Sequence, residues 1–464
     1  MSVAKREMWG SRLAFVMAAA GSAVGLGNIW RFPTVTGENG GAAFVVIYLA
    51  CVFFVGLPIM WCELVMGRRS KRNPVGAFST LAPGSWWKTV GGLQVIGGMA
   101  ILSYYSVVAG WTIGYAFKTI RGDFAGNVTP DAVLAQFGAF VSNPLYAILG
   151  TAIFLVLTVL IVAGGVRSGI ERWTKILMPA LFIMLVLVVI RSVTLPGASE
   201  GLAFYMLPDL GAITAETILS AMGQAFFSLS LGMGVMITYG SYIADTDDLI
   251  KAGIFVAIAD TLVALLAGFA IFPALFAVGG LEPTEGPGLI FVVLPNVFHS
   301  IPLGNLFGTL FFILLVVAAL TSTVSLLEVV TSYLVDEVRW SRAKAVCLTG
   351  LLCFLFAIPS ALSAGAVEGL SKMYVISGKD KGFLDLMDFL FGNVALMLGG
   401  LLIALFVSWR MGLAVAKDEI EKGHGSFSLF RVWAILIRYL CPTAVTVLLI
   451  QKLWTQISGL LNVQ

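Results

Sequence analysis

Residues 18 to 33 read AAAGSAVGLGNIWRFP, an apolar run that carries Gly21, Gly25, Gly27 and Pro33 together with the polar Ser22 and Asn28. Residues 226 to 242, FFSLSLGMGVMITYGSY, place Ser228, Ser230, Gly232 and Gly234 in the middle of a second such run. A helix interrupted in this way frees carbonyls and amides, and in hydrocarbon each unpaired group costs several kcal/mol. A ligand can complete them: half-helix N-termini favour a carboxylate, and freed carbonyls with hydroxyls suit a small hard cation. The chemistry on offer is joint binding of a zwitterionic amino acid and Na⁺. Close packing of small residues, visible as Gly21-x3-Gly25, is the other reading. A phosphate-cradling glycine loop would need a preceding strand and a G-K-[ST] sequence, and neither is present. A third polar stretch, TSTVS at 321 to 325, supplies Thr321 and Ser322, whose hydroxyls either join such a site or bond back to their own helix. Arg31, Glu38, Glu63, Asp260, Glu328 and Asp388 are charges within apolar runs, expensive in lipid, and are expected to face protein, water or ions. Tyr104 and Tyr105 offer a hydroxyl near the site or belong to an interfacial belt.

The elements that must hold these residues follow from composition. The chain has 464 residues, 59% hydrophobic and 11% charged, with a mean hydropathy of +0.97, whereas soluble domains carry about 25% charged residues. That excludes a water-facing globular enzyme and leaves the lipid bilayer as the main solvent. Apolar segments lie near 13–35, 42–66, 89–117, 145–165, 174–193, 217–243, 252–278, 304–334, 343–363, 384–409 and 429–454, about eleven transmembrane helices in an all-α polytopic membrane protein. They are too long and too poorly alternating for barrel strands. Lys5, Arg6 and Arg12 precede the first span, and Arg68, Arg69, Lys71, Arg72 and Lys88 follow the second. This bias makes the N-terminus cytoplasmic and, with an odd number of spans, puts Gln464 outside, in a multi-pass protein of the cell's inner (plasma) membrane. The N-terminal segment lacks a cleavage pattern and is expected to stay as structure. A single domain over 1–464 is expected to divide into one repeat at about 10–195, an inverted copy at about 215–412 and an extra helix at about 428–455, because the two interrupted spans lie five apart, as helices 1 and 6 of a 5+5 arrangement. Residues 279–303 are expected to form a lid or an exposed loop, and 364–383 a second structured segment on the same side.

Net charge is +3, too mild and scattered for a nucleic-acid partner. The five cysteines (Cys51, Cys62, Cys347, Cys353 and Cys441) lie in apolar runs and read as buried packing residues. With only His299 and His424, a histidine metal site or a hydrolase triad lacks material.

On GSAVGLGNIWRFP (21–33), ENGG (38–41), GIERWTKILMP (169–179), QAFFSLSLGMG (224–234) and ALTSTVS (319–325), the chain resembles the neurotransmitter:sodium symporters, the group of the bacterial leucine transporter, from about residue 5 to 455. The resemblance implies two sodium ions. The first would be held by carbonyls of Ala23 and Ser228 with side chains of Asn28, Ser228 and Asp260, sharing the substrate carboxylate. The second would use carbonyls of Gly21, Val24 and Ala318 with hydroxyls of Thr321 and Ser322. It implies a substrate pocket of Ser22, Ala23, Leu26, Gly27, Ile101, Tyr105, Phe227, Ser228, Ser230, Met233, Ser322 and Leu326. Amine-selective relatives carry an Asp where this chain has Ser22, so an amino acid with a hydrophobic side chain is the expected substrate. The implied gates are Arg31 with Asp388 and Phe227 outside, and Arg6 with Asp336, packed by Trp9 and Tyr242, inside. Gly169 and Pro179 resemble an unwinding element of the fifth span or mark a plain proline kink.

Three departures from the family matter. Chloride-dependent relatives hold Cl⁻ at positions matching Tyr48, Gln224, Ser228, Asp260 and Ala264; here Asp260 supplies the negative charge, which implies chloride independence and a possible proton antiport. Glu328 stands where relatives are neutral, and the sequence offers no account of it. No twelfth span follows, and the oligomeric state is open. A channel, an intramembrane enzyme and a non-transporting sensor are the rival classes. A channel usually builds its filter by symmetry among subunits, and an enzyme would need a nucleophile with its base.

Overall fold

In the computed structural model, residues 7–124, 130–278, 289–376 and 379–461 are described. Among them, nine helices are long and apolar enough to cross a membrane: Ala42–Ser70, Lys88–Arg121, Pro144–Ala163, Val166–Val193, Leu249–Ala277, Gly304–Asp336, Arg342–Leu362, Phe383–His424 and Phe430–Leu460. A tenth span is the pair Arg12–Ala23 and Gly27–Glu38, bent by 51° at its break. The remaining expected span, the sixth, consists of two pieces each too short to cross alone, Ala215–Ser228 and Val235–Gly240. Nine to ten spans are thus present among the described residues, against about eleven expected, and the first and sixth segments are discontinuous.

Composition explains the layering. Spans three (Lys88–Arg121) and eight (Gly304–Asp336) pack along each other through the middle of the bundle and bury most of their surface. Spans four and five instead leave Ile153, Val156, Leu160, Ile183 and Ile190 exposed, an apolar belt suited to lipid. Four of the cysteines are buried as expected, but Cys347 is exposed, because it lies on the outward face of Arg342–Leu362.

Two segments depart from plain helices. Tyr374–Ile376 and Lys379–Lys381 pair as a short antiparallel hairpin, a small exception to the all-α expectation within 364–383. The segment expected as a lid contributes a short apolar helix, Leu289–His299, while 279–288 lie outside the described residues. Span five is wound throughout: Gly169 sits in a π-helical turn at Val166–Glu171, and the helix Arg172–Val193 runs on through Pro179.

The breaks have local causes. Thr214 and Thr217 form a capping box at the start of span six, and the helix ends at Ser228. Ser230, Gly232 and Gly234 then adopt φ of 54°, 78° and 76°, left-handed values that glycine takes without strain and serine does not. Glu63, fully buried on span two, accepts from the freed Gly232 N–H at 2.8 Å, so one intramembrane carboxylate is used to complete the broken backbone.

Candidate functional site

In span one, Val24 is extended (φ −70°, ψ 111°), and the carbonyls on either side of it leave the helical ladder. Hydroxyls from other spans meet them. Ser322 Oγ donates to Ser22 O (3.1 Å) and Val24 O (3.4 Å), Ser230 Oγ donates to Ser22 O (3.2 Å), and Thr321 Oγ1 donates to Val24 O (3.3 Å) and to Ala318 O (2.9 Å). A Cβ at Gly21 would lie 3.4 Å from Thr321 Cβ, so the two helices touch there. Gly21, Val24, Ala318, Thr321 and Ser322, expected as one ion site, therefore lie together. The Thr321 hydroxyl bonds back to its own helix and across to span one, combining the two alternatives read from the sequence, whereas the Ser322 hydroxyl crosses to span one.

A second convergence lies below the other side of the break. Asn28 Nδ2 is 2.7 Å from Asp260 Oδ1, 3.0 Å from Asp260 O and 3.0 Å from Ser228 Oγ, and Ser228 Oγ donates to Asp260 Oδ2 at 2.7 Å. Asn28 Oδ1 accepts from Gly25 N at 2.9 Å. Asn28, Ser228 and Asp260 are buried to the last few per cent of their surface. Tyr48 Oη approaches Ser228 Oγ (3.4 Å) and Asp260 Oδ2 (3.5 Å), and Gln224 Nε2 donates to Gly27 O (2.8 Å). Acceptor oxygens thus surround the Asn28 amide, and its NH₂ group is their positive partner. A cation meets the same demand once the amide turns its oxygen inward.

Between the two convergences lies a cavity of about 30 Å³ lined by Ser22, Ala23, Gly25, Gly27, Ile101, Tyr105, Phe227, Ser230, Met233, Ser322 and Leu326. Ten of the twelve expected pocket residues line it. Ser228 faces Asp260 instead, and Leu26 lines the neighbouring outer cavity. Gly25, named only as part of the first glycine run, was not among the expected pocket residues, although that run was the available signal. One end of the pocket is polar, with Tyr105 Oη accepting from Leu26 N at 3.0 Å and Ser22 Oγ donating to Ser325 Oγ at 2.6 Å. The other end, with Ile101, Met233 and Leu326, is apolar.

The pocket continues through Gly27, Tyr105 and Phe227 into a cavity of about 240 Å³ that reaches Asp388. The expected outer gate residues come near one another here, but among the described residues Arg31 and Asp388 make no direct ion pair in this conformation. Asn393 stands between them, donating from Nδ2 to Asp388 Oδ2 (3.1 Å) and accepting from Arg31 on Oδ1 (3.5 Å). Tyr104 Oη donates to Asp388 Oδ1 (3.0 Å), and the Arg31 guanidinium lies 4.5 Å from the Phe227 ring centroid. Asn393 thus bridges the two charges, and no direct ion pair closes the cavity on the Asp388 face.

The opposite face is sealed. Trp9 packs edge-on against Tyr239 and Tyr242, with centroids 5.3 and 6.0 Å away, and its ring N–H donates to Tyr239 O. Asp336 accepts from Asn73 N and Nδ2, while its expected partner Arg6 lies outside the described residues. Glu328, unexplained from sequence, accepts from Tyr242 Oη (2.7 Å) and from both Arg342 nitrogens (3.2 and 2.5 Å); Arg342 Nε also donates to Val162 O. The buried carboxylate thus ties spans four, six, eight and nine on the Trp9 face. In the loop before span seven, burial raises the Asp248 carboxyl, but the Lys251 backbone N–H and the His424 ring outweigh it and hold the group below its ordinary range.

Comparison with known proteins adds to this geometry. The profile of the sodium:neurotransmitter symporter family matches residues 6–129 and 142–461. The chain is 40% identical to the uncharacterized sodium-dependent transporter YhdH of Bacillus subtilis, over 96% of this chain and 98% of that one. It is 39% identical to an uncharacterized sodium-dependent transporter of Haemophilus influenzae, over 97% and 99%. Among solved structures, that of MhsT in complex with L-phenylalanine superposes with a TM-score of 0.88 at 45% identity, covering 97% of this chain and all of that one.

Proposed function

The chain belongs to the sodium:neurotransmitter symporter family and is a sodium-dependent symporter, and from that premise we propose that it carries a hydrophobic amino acid, aliphatic or aromatic, into the cell with two sodium ions and without chloride. The observation that carries this reading is the convergence of two sets of oxygen donors on the backbone breaks, with the pocket between them. Asn28, Ser228 and Asp260 with the Ala23 carbonyl would hold one ion. Gly21, Val24, Ala318, Thr321 and Ser322 would hold the other. All of these are oxygen donors, which suit a hard cation. The amino-acid carboxylate would complete the first set and the broken end of span one near Tyr105 and Leu26, which couples substrate to ion. The apolar end would take the side chain; the L-phenylalanine bound by MhsT supports an aromatic one.

Asp260 supports chloride independence, since its carboxylate already supplies an anion beside Tyr48 and Ser228. Two sodium ions, each moving down about 100 mV and a tenfold gradient, supply about 7 kcal/mol, enough for roughly 10⁵-fold accumulation of a neutral substrate. The bilayer completes the assembly, with residues 10–195 and 215–412 as the repeats and 428–455 outside them. The Lys and Arg bias puts the Trp9 face in the cytoplasm, so the conformation described opens outward.

Uptake of all twenty labelled amino acids into liposomes under an imposed Na⁺ gradient tests the reading, with K⁺ replacement as control. Hydrophobic amino acids should accumulate only with sodium, and replacement of Cl⁻ by gluconate should leave the rate unchanged. An absolute chloride requirement would contradict the role given to Asp260, and binding without accumulation would make the protein a sensor.

A further inference from the structure

Beside the substrate path, two polar cavities of about 300 and 540 Å³ open on the Asp388 face, and Lys452, Glu216 and Ser220 line both. The smaller also reaches Asp388 and Asn393, and the larger reaches Arg31. Lys452 therefore stands where the surroundings of the two gate residues meet. It is only partly exposed, and among the described residues it makes no hydrogen bond or ion pair; the charges acting on it are Arg31, Asp388 and Glu216. Its helix, Phe430–Leu460, packs on Leu396–Leu405 of span ten, whereas Arg31 and Glu216 belong to the discontinuous spans one and six.

An ammonium held partly out of water and joined in no ion pair is not neutralised by direct contact, and although the Glu216 carboxylate shares both cavities, the ammonium's field also acts on Arg31 and Asp388. Here the field has opposite effects on the two gate partners. It repels the Arg31 guanidinium and attracts the Asp388 carboxylate, and both effects oppose their pairing. The observed arrangement agrees: Arg31 lies over Phe227, and Asp388 is held by Tyr104 and Asn393.

We propose that Lys452 is a positioning residue of the outer gate, whose charge keeps Arg31 and Asp388 apart and so favours the open path until substrate and ions close it. The assignment rests on the reading above of a symporter caught opening outward, but not on which amino acid is carried. Span eleven, outside the expected repeats, thereby acquires a part in gating.

The test uses purified full-length protein carrying Cys347→Ser, which removes the exposed thiol, and Val108→Cys, which puts a reporter in the cavity that leads to the pocket. Labelling is timed with a small neutral methanethiosulfonate, so that the charge at residue 452 does not act on the reagent, and without amino acid, so that substrate identity plays no part. Lys452→Gln should slow labelling roughly threefold or more, the scale of a partly screened ion pair. Lys452→Arg should keep the parent rate. In an Asp388→Asn background Lys452→Gln should have no effect, because no pair is left to form. Lys452→Met, with a similar stem and no charge, repeats the test if the glutamine variant is poorly folded. An unchanged or faster rate in both neutral variants, or equal slowing with and without Asp388, would overturn the proposal. Retained gating with no amino-acid accumulation would instead defeat the transport reading alone.

Discussion

Gly25→Ala is the sharpest perturbation of the proposed site. Gly25 is not in the left-handed region, so alanine brings no backbone strain and the effect is steric. Its Cβ would overlap Ser322 Oγ and lie 3.0 Å from Tyr105 Oη and 3.3 Å from Ser322 Cβ. To make room, Ser322 must turn away from the Ser22 and Val24 carbonyls, which lie 3.1 and 3.4 Å from its hydroxyl. Inserting a methyl into a packed site costs about 1–3 kcal/mol, and each lost hydrogen bond about 0.5–1.5 kcal/mol. Part of that total also destabilises the empty protein, so about 1.5–3 kcal/mol should appear as weaker binding, roughly a 10- to 150-fold loss. The assay is sodium-dependent binding of labelled L-phenylalanine to purified protein, with sodium titrated at fixed amino acid. Because Ser322 belongs to both the pocket and the proposed second ion set, amino-acid affinity and the half-saturating sodium concentration should change together. Gly97→Ala is the control, since nothing lies within 4 Å of its added carbon. Binding of Gly25→Ala within twofold of the parent, with the same sodium dependence, would refute the arrangement.

Three further outcomes follow from the same contacts. Thr321→Val removes the hydroxyl shared between Ala318 O and Val24 O and should raise the half-saturating sodium concentration at least about fivefold. Thr323→Val on the same helix, where the hydroxyl meets Thr158 and Leu320 instead, should leave sodium dependence unchanged. Glu328→Ala leaves the Arg342 guanidinium, 22% exposed, without its fully buried partner, and a loss of about 3–5 kcal/mol should appear as a lower melting temperature; Glu328→Gln, which can still accept from Tyr242, should lose less. Asp248→Asn should lower the melting temperature at neutral pH. Because the Asp248 carboxyl is held below its ordinary value, its stabilisation is present at neutral pH and is lost as the pH falls below the usual carboxylate range, so the difference from the parent should vanish in acid. A difference that persists there would assign it to packing.

The sequence by itself determined the solvent of each segment and the places where helices cannot continue. Runs of about twenty apolar residues have one economical backbone arrangement in hydrocarbon, so the spans were legible from hydropathy alone. The glycine and hydroxyl clusters at 21–28 and 228–234 marked the breaks, and TSTVS at 321–325 marked a polar face on an unbroken helix, because such residues are poor choices for a lipid-facing helix. Partners across the bundle were not legible. Glu328 finds Arg342 fourteen residues away on the next span and Tyr242 eighty-six away on another, and no periodicity encodes such pairings. Asn393, five residues beyond Asp388, reads as an ordinary polar residue until the fold sets it between Arg31 and Asp388. The exposure of Cys347 and the hairpin at Tyr374–Ile376 also depend on neighbours that hydropathy does not specify. Whether Arg31 and Asp388 meet is a property of one conformation of a protein that must visit several. A sequence specifies the groups able to pair, and the packing of spans one, six, ten and eleven decides which of them do.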